Sequence, residues 1–247
     1  MNNFRKYLTI YFFLFVPFVS HAGTLVKLNE FKRSAISDLS VAGLNYGLSA
    51  LYAVSVKDSS GKLKIFIWAN DETEPRANAS AGVIKAVSSM GIDNKRLITA
   101  LVDSQNLLKI IVWQISVDGR SISRLGSYTG PSITDVDVTS SWLPGTFFVA
   151  ARLTNGKLWT ADFGVSGNSV TLSSQSTHGA VDSVSTGSDL GLYPVAVKTA
   201  SGLKIINFWS GDYRGGSGTG GWSRMLKLVM VWQIKKNLSL FLTTTDQ

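Results

Sequence analysis

Two aspartates, Asp38 and Asp135, occupy the same place in a phrase that this chain repeats, each two residues after an isoleucine, Ile36 or Ile133. A third, Asp182, directly follows Val181 at the start of another copy. Carboxylates that recur on inner strands can face a shared axis. Paired carboxyl groups hydrolyse glycosides when one is held protonated and the other ionised. The competing role for Asp and Ser at such positions is to hydrogen-bond neighbouring backbone. Glu30, Glu72 and Glu74 are the only glutamates, and none falls within the repeated phrase. No catalytic residue is therefore assigned.

Aromatic residues offer a second chemistry. Trp68, Trp113, Trp209 and Trp232 follow recurring Leu-Lys-apolar runs, and Trp159 follows Leu158 in the corresponding phrase. Repeated rings could stack on sugars, one pocket per unit, or could pack unit against unit, as every interface of a repeat array requires. Trp142 and Tyr128 do not recur and fall in expected loops, which makes them, with Asp38 and Asp135, the candidate ligand contacts. Other chemistries fail for want of residues. The chain has no cysteine and two histidines, His21 and His178. That leaves no ligand set for zinc and no disulfide, and His178, beside a predicted turn, reads as a surface residue. The glycine run at 211–221 lacks the Gly-Lys-Ser/Thr ending of a phosphate loop and reads as a linker. No cofactor and no metal are expected.

The elements that would position these residues follow from the repeat. Ile36, Ile84, Ile133 and Val181 open related phrases at intervals of 48, 49 and 48 residues. Within each unit, short runs rich in Val, Ile and aromatics flank turns at Asp58-Ser-Ser-Gly61, Asp103-Ser-Gln-Asn106, Thr154-Asn-Gly156 and Thr199-Ala-Ser-Gly202. These are hairpins. Fourth strands are predicted in the second and third units, at Ser121 to Gly126 and Ser169 to Ser173. A period in the forties made only of strands is the size of one four-stranded blade, so the fold expected is an all-β propeller of about five blades, the last degenerate or incomplete.

The repeats are expected at 35–82, 83–131, 132–180 and 181–210. Residues 23–34 are expected to close the ring as an outer strand. The linker at 211–221 leads to a degenerate fifth repeat at 222–247, where Met225 to Ile234 echoes Leu107 to Ile115. Residues 1–22 read as a signal peptide, with basic Arg5 and Lys6, an apolar run from Leu8 to Val19, and small residues up to Ala22. The location expected is outside the cytoplasm, secreted or periplasmic, with no membrane span. The formal net charge is +8, of which Arg5 and Lys6 supply two. Lysines at 62, 64, 109, 157 and 204 spread the remainder along strands, without a like-charge block. Partners expected on these grounds are glycans or anionic surface polymers and not nucleic acid; the sequence sets no oligomeric state.

The run Leu108 to Ser127, with its Leu-Lys-Ile-Ile-Val-Trp strand followed by Asp-Gly and Arg-Leu-Gly-Ser, resembles units of bacterial secreted β-propeller proteins of unknown role. The likeness covers about Ala35 to Trp209. Unit size is also similar to that of five-bladed tachylectin-type lectins, whose sugar-site motif has no counterpart here. The resemblance implies a propeller, and no binding residue follows from it. The function expected is a non-enzymatic module recognising carbohydrate or another surface ligand through its repeated blades. The alternatives are a glycosidase-like hydrolase using the inner-strand aspartates, or a protein-interaction scaffold.

Overall fold

A computed structural model describes residues 36–46, 49–69, 72–141, 143–188 and 192–209. Every regular element in them is a β-strand, and all pairings are antiparallel. The first blade holds β1 (Ile36–Tyr46), β2 (Ser49–Asp58), β3 (Lys62–Ala69) and the first half of β4 (Ala77–Gly91). At Val83 and Ile84 the chain leaves β3 and becomes the inner strand of the second blade, with β5 (Arg96–Asp103), β6 (Leu107–Ile115) and the first part of β7 (Ile122–Ser140). The same switch at Ser132 and Ile133 begins the third blade, completed by β8 (Thr146–Leu153), β9 (Lys157–Ser166) and β10 (Ser169–Ala180). A fourth blade contributes β11 (Ser183–Thr186), β12 (Leu192–Thr199) and β13 (Gly202–Trp209). The segments expected to close the ring, to link and to form the fifth repeat (23–34, 211–221 and 222–247) lie outside the described residues.

The hairpins fall where the alternation of apolar residues and the turn residues place them. The long β4 and β7 were not legible as single elements. Each is an outer strand running straight into the next inner strand, and the first half of β4 is made of Ala, Ser, Asn and Gly, which carry little strand signal.

Blades hold together face to face. Leu63, Ile65 and Ile67 of the first blade are fully buried against Leu97, Ile111 and Trp113 of the second. Leu108, Ile110 and Val112 on the other face of β6 pack on Phe147, Val149 and Phe163 of the third. Phe148 and Leu158 then meet Tyr193, Val195 and Val197 of the fourth, with Phe148 and Tyr193 stacked at 4.5 Å. Middle blades are apolar on both faces, which is why β5 and β6 read as continuous apolar runs. Burying each such Leu or Ile contributes about 1.5–3 kcal/mol. The outer faces of the end blades expose Leu39 and Val41 on β1, and Leu203 and Ile205 on β13.

The recurring openers have a specific task. The Ile84 N–H donates to the Gly61 carbonyl (2.8 Å), Ile133 N–H to Asn106 (2.7 Å) and Val181 N–H to Gly156 (2.8 Å). Each acceptor is the left-handed residue of the preceding blade's hairpin, with φ of 75°, 63° and 83°. The turn therefore shapes the hairpin and also fastens it to the next blade. Asn tolerates this backbone region, whereas other side chains with a Cβ are strained in it by about 1–2 kcal/mol. Asn106→Ala is accordingly expected to lower stability by about 1–2 kcal/mol in a urea titration, and Asn106→Gly to retain most of it.

Asp58 organises the first of these turns, accepting from the Ser60 N–H (2.9 Å), the Ser60 hydroxyl (2.7 Å) and the Lys62 N–H (3.0 Å). The Ser60 hydroxyl first, then the Lys62 amide, hold its carboxyl down to about 2 from an ordinary 3.8. A carboxyl lowered by folding contributes stability above its unfolded pKa and loses that contribution as pH falls through the folded value. Melts of the wild type between pH 4 and about 2 should therefore show an acid-side loss that is smaller in Asp58→Asn.

Candidate functional site

The inner strands bring the repeated polar residues to adjoining blades, and there the side chains of one blade bind backbone of the next. Asp38 Oδ2 accepts from the Val87 N–H (2.8 Å) and Ser40 Oγ from the Ser89 N–H (2.9 Å). Between blades two and three, Ser88 Oγ accepts from the Val138 N–H (3.2 Å) and donates to Asp137 (2.5 Å). Between blades three and four, Asp135 Oδ2 accepts from Val184 (3.0 Å) and Asp137 Oδ2 from Thr186 (2.7 Å). At the one slot filled by an alanine, Ala86, the Val136 N–H turns to Asp135 Oδ1 of its own strand (3.0 Å).

Asp38 and Asp135 are thus engaged with different strands, β4 and β11, and each stabilises a blade interface. Asp182 is exposed, and its own N–H donates to the Lys198 carbonyl (2.7 Å). The geometry favours the backbone-bonding role weighed from sequence over a carboxylate pair. A charged acceptor bonded to buried amide contributes about 1.5–3 kcal/mol, so Asp135→Ala should cost about that in chemical denaturation. Asp135→Asn keeps an acceptor oxygen and should cost less.

The aromatic candidates are distributed differently from the expectation. Trp68, Trp113 and Trp159 are buried, with the Trp113 indole N–H on Thr99 (3.0 Å) and that of Trp159 on Gln175 (3.1 Å). Trp209 does not share their register. Tyr193 pairs with Phe208, as Leu97 does with Trp113 and Phe147 with Phe163. The recurring inward aromatic is therefore Trp68, Trp113, Phe163 and Phe208, while Trp209 points to the opposite face. Tyr128 lies on β7 and not in a loop; half-buried, its ring meets Phe163 edge-on at 5.0 Å. His178 is also on a strand, β10, with Nε2 3.0 Å from the Thr160 hydroxyl and its ring against Phe208. Trp142 lies outside the described residues.

Two clefts open at the end of the blades that carries the β3–β4, β4–β5 and β6–β7 connections. One, of about 510 Å³, is lined by Glu72, Thr73, Glu74, Pro75, Arg76 and Arg120, from the first and second blades. Arg76 bonds Glu72 (2.7 Å) and the Asp118 carbonyl (2.9 Å), and the Arg76 hydrogen bond holds the Glu72 carboxyl below its usual value. A lowered carboxyl is ionised at neutral pH and has no proton to give a leaving group.

The other cleft, of about 400 Å³, is lined by Asp93, Asn94, Lys95, Arg96 and Gln114. The third blade comes close to Arg96 at Gly145, where a Cβ would stand 3.7 Å from Arg96 Nη2. The loop is held firmly. Asp93 Oδ1 accepts the Lys95 and Arg96 N–H groups (both 2.8 Å), and Oδ2 pairs with Arg96 Nε and Nη2 (both 2.7 Å). Neither cleft was legible in the sequence: one joins loops about one repeat apart, and the other joins the β4–β5 connection to the end of β6 across the Arg96–Gln114 pair. The linings of the two clefts differ. Among the described residues no group of three or more His, Cys, Asp or Glu could hold a metal, and no helix is long and apolar enough to cross a membrane.

No protein-family model and no curated protein matches the chain. Among solved structures it is similar to a variant of the Aleuria aurantia lectin in complex with Fucalpha1-6GlcNAc. Identity is 15% over 75% of this chain and 65% of the lectin, with a TM-score of 0.52. It is also similar to SapL1 lectin in complex with alpha methyl fucoside, at 14% identity, 74% and 63% coverage, and a TM-score of 0.49. A further structure of the Aleuria aurantia lectin, at 12% identity, 74% and 65% coverage and a TM-score of 0.46, is of a six-bladed β-propeller. The chain spans about 65% of the length of the first of these lectins. Strand order, face-to-face blades and this likeness together make the fold a β-propeller of four-stranded blades.

Proposed function

We propose that this chain is a secreted, non-enzymatic carbohydrate-binding module, and that it binds at the cleft on blade two lined by Asp93, Asn94, Lys95, Arg96 and Gln114. The observation that carries the reading is the fixed polar lining of that cleft. Asp93 and Arg96 are locked together, Gln114 Nε2 clamps the Lys95 carbonyl (3.3 Å), and Asn94 and Lys95 are exposed at the mouth. Planar amide and guanidinium groups held in place suit the hydroxyl pattern of a sugar, and pre-organisation lowers the cost of binding. The lectins that share the fold are seen with fucosides, which supports the class of ligand.

Trp142 is the residue we assign to stack on the sugar ring. It stands in sequence between Ser141 and Leu143, outside the described residues. Asp38, Asp135 and Tyr128 do not join this site, because hydrogen bonds and packing between blades occupy them. The hydrolase alternative loses its carboxylate pair for the same reason.

A glycan array probed with the mature chain tests the reading, and retention on no glycan would overturn it. Trp142→Ala should weaken the best ligand about tenfold, the worth of one stacked ring, with an unchanged melting temperature.

A further inference from the structure

We infer that the cleft on blade two takes an acidic sugar, one bearing a carboxylate or a sulfate. This rests on the carbohydrate-binding reading above and adds the ligand's charge. Three charged groups line the cleft: Asp93, Lys95 and Arg96. Asp93 is fully engaged, one oxygen holding two backbone amides and the other the Nε and Nη2 edge of Arg96. That pairing leaves Arg96 Nη1 without a partner among the described residues. Lys95 adds an exposed ammonium, again without a side-chain partner among them. Its backbone is nevertheless fixed, because the Lys95 carbonyl accepts from the Ile115 N–H (2.7 Å) and from Gln114. The formal balance of the lining is one positive charge, presented by two donors.

Gln114 completes the recognition set. Its Nε2 donates to the Lys95 and Ile115 carbonyls (3.3 and 3.2 Å). The Oε1 atom is left to accept from a sugar hydroxyl beside the anionic group. The cleft between blades one and two provides the internal contrast. There Glu72 and Glu74 balance Arg76 and Arg120, and Arg76 is bonded to Glu72 and Asp118. Its lining gives an anion no advantage. A cleft of about 400 Å³ falls within the range of about 300–1,000 Å³ typical of small-ligand sites.

The test is binding of the mature chain to polygalacturonate, dextran sulfate and neutral dextran, each titrated with salt. Lys95→Gln should weaken binding to an acidic polymer about tenfold and Lys95→Glu more. Lys157→Gln, at the start of β9 and at the opposite end of the third blade, should leave it unchanged. Preference for polygalacturonate assigns a carboxylate, and preference for dextran sulfate a sulfate. Equal losses in Lys95→Gln and Lys157→Gln would attribute retention to overall charge and overturn the inference. Retention on neutral glycans alone would overturn it while leaving the carbohydrate reading standing, whereas retention on none would remove both.

Discussion

The innermost strand of each blade pairs with a neighbour along one edge only, and the N–H groups on its other edge need acceptors. The preceding blade supplies them. Val87 and Ser89 are bonded by Asp38 and Ser40, Val138 by Ser88, and Val184 and Thr186 by Asp135 and Asp137. These bonds span 49 or 50 residues, one repeat plus the single step that turns the donor toward its partner. The period of the sequence is therefore the spacing of a hydrogen-bond ladder as much as of a packing interface. An acceptor must recur every repeat, and it must be short enough to reach backbone, which selects Asp and Ser.

This ladder explains why the chain looked chemically suggestive. A carboxylate recurring on inner strands is what a catalytic pair and an edge acceptor have in common, and residue type alone does not separate them. What separates them is whether the oxygens already have donors. For Asp135 both do: Oδ1 takes the Val136 amide and Oδ2 that of Val184. The repeated tryptophans are alike in this respect, since one ring per interface is equally what blade packing requires.

Much of the architecture could be read from residues, and the failures have local causes. Runs rich in Val, Ile and aromatics bounded by turn residues placed the hairpins at 58–61, 103–106 and 154–156, where β2–β3, β5–β6 and β8–β9 turn. Trp209 misled because Phe208 takes the place that Trp113 has five residues after its leucine, so the tryptophan falls one place later and on the other face. Tyr128 looked like a loop residue because Gly126, Gly130 and Pro131 surround it. Those residues instead relieve close contacts on an outer strand, where a Cβ at Gly126 would collide with the Asn168 carbonyl. The clefts left no trace because their members are brought together by strand pairing and blade stacking, without a common motif.

The two ends of each blade are under different constraints, and this decides where a binding site can arise. At one end the β2–β3, β5–β6 and β8–β9 hairpins must each present a left-handed carbonyl to the next opener, so they stay short and alike. At the other, the β3–β4, β6–β7 and β9–β10 connections span residues 70–76, 116–121 and 167–168. That variation is tolerated because no ladder bond depends on these loops. Both clefts lie at this second end, one with balanced charge and one positive. A fold that repeats for stability can thus carry clefts that differ. In this chain both lie away from the periodic side chains that bond one blade to the next.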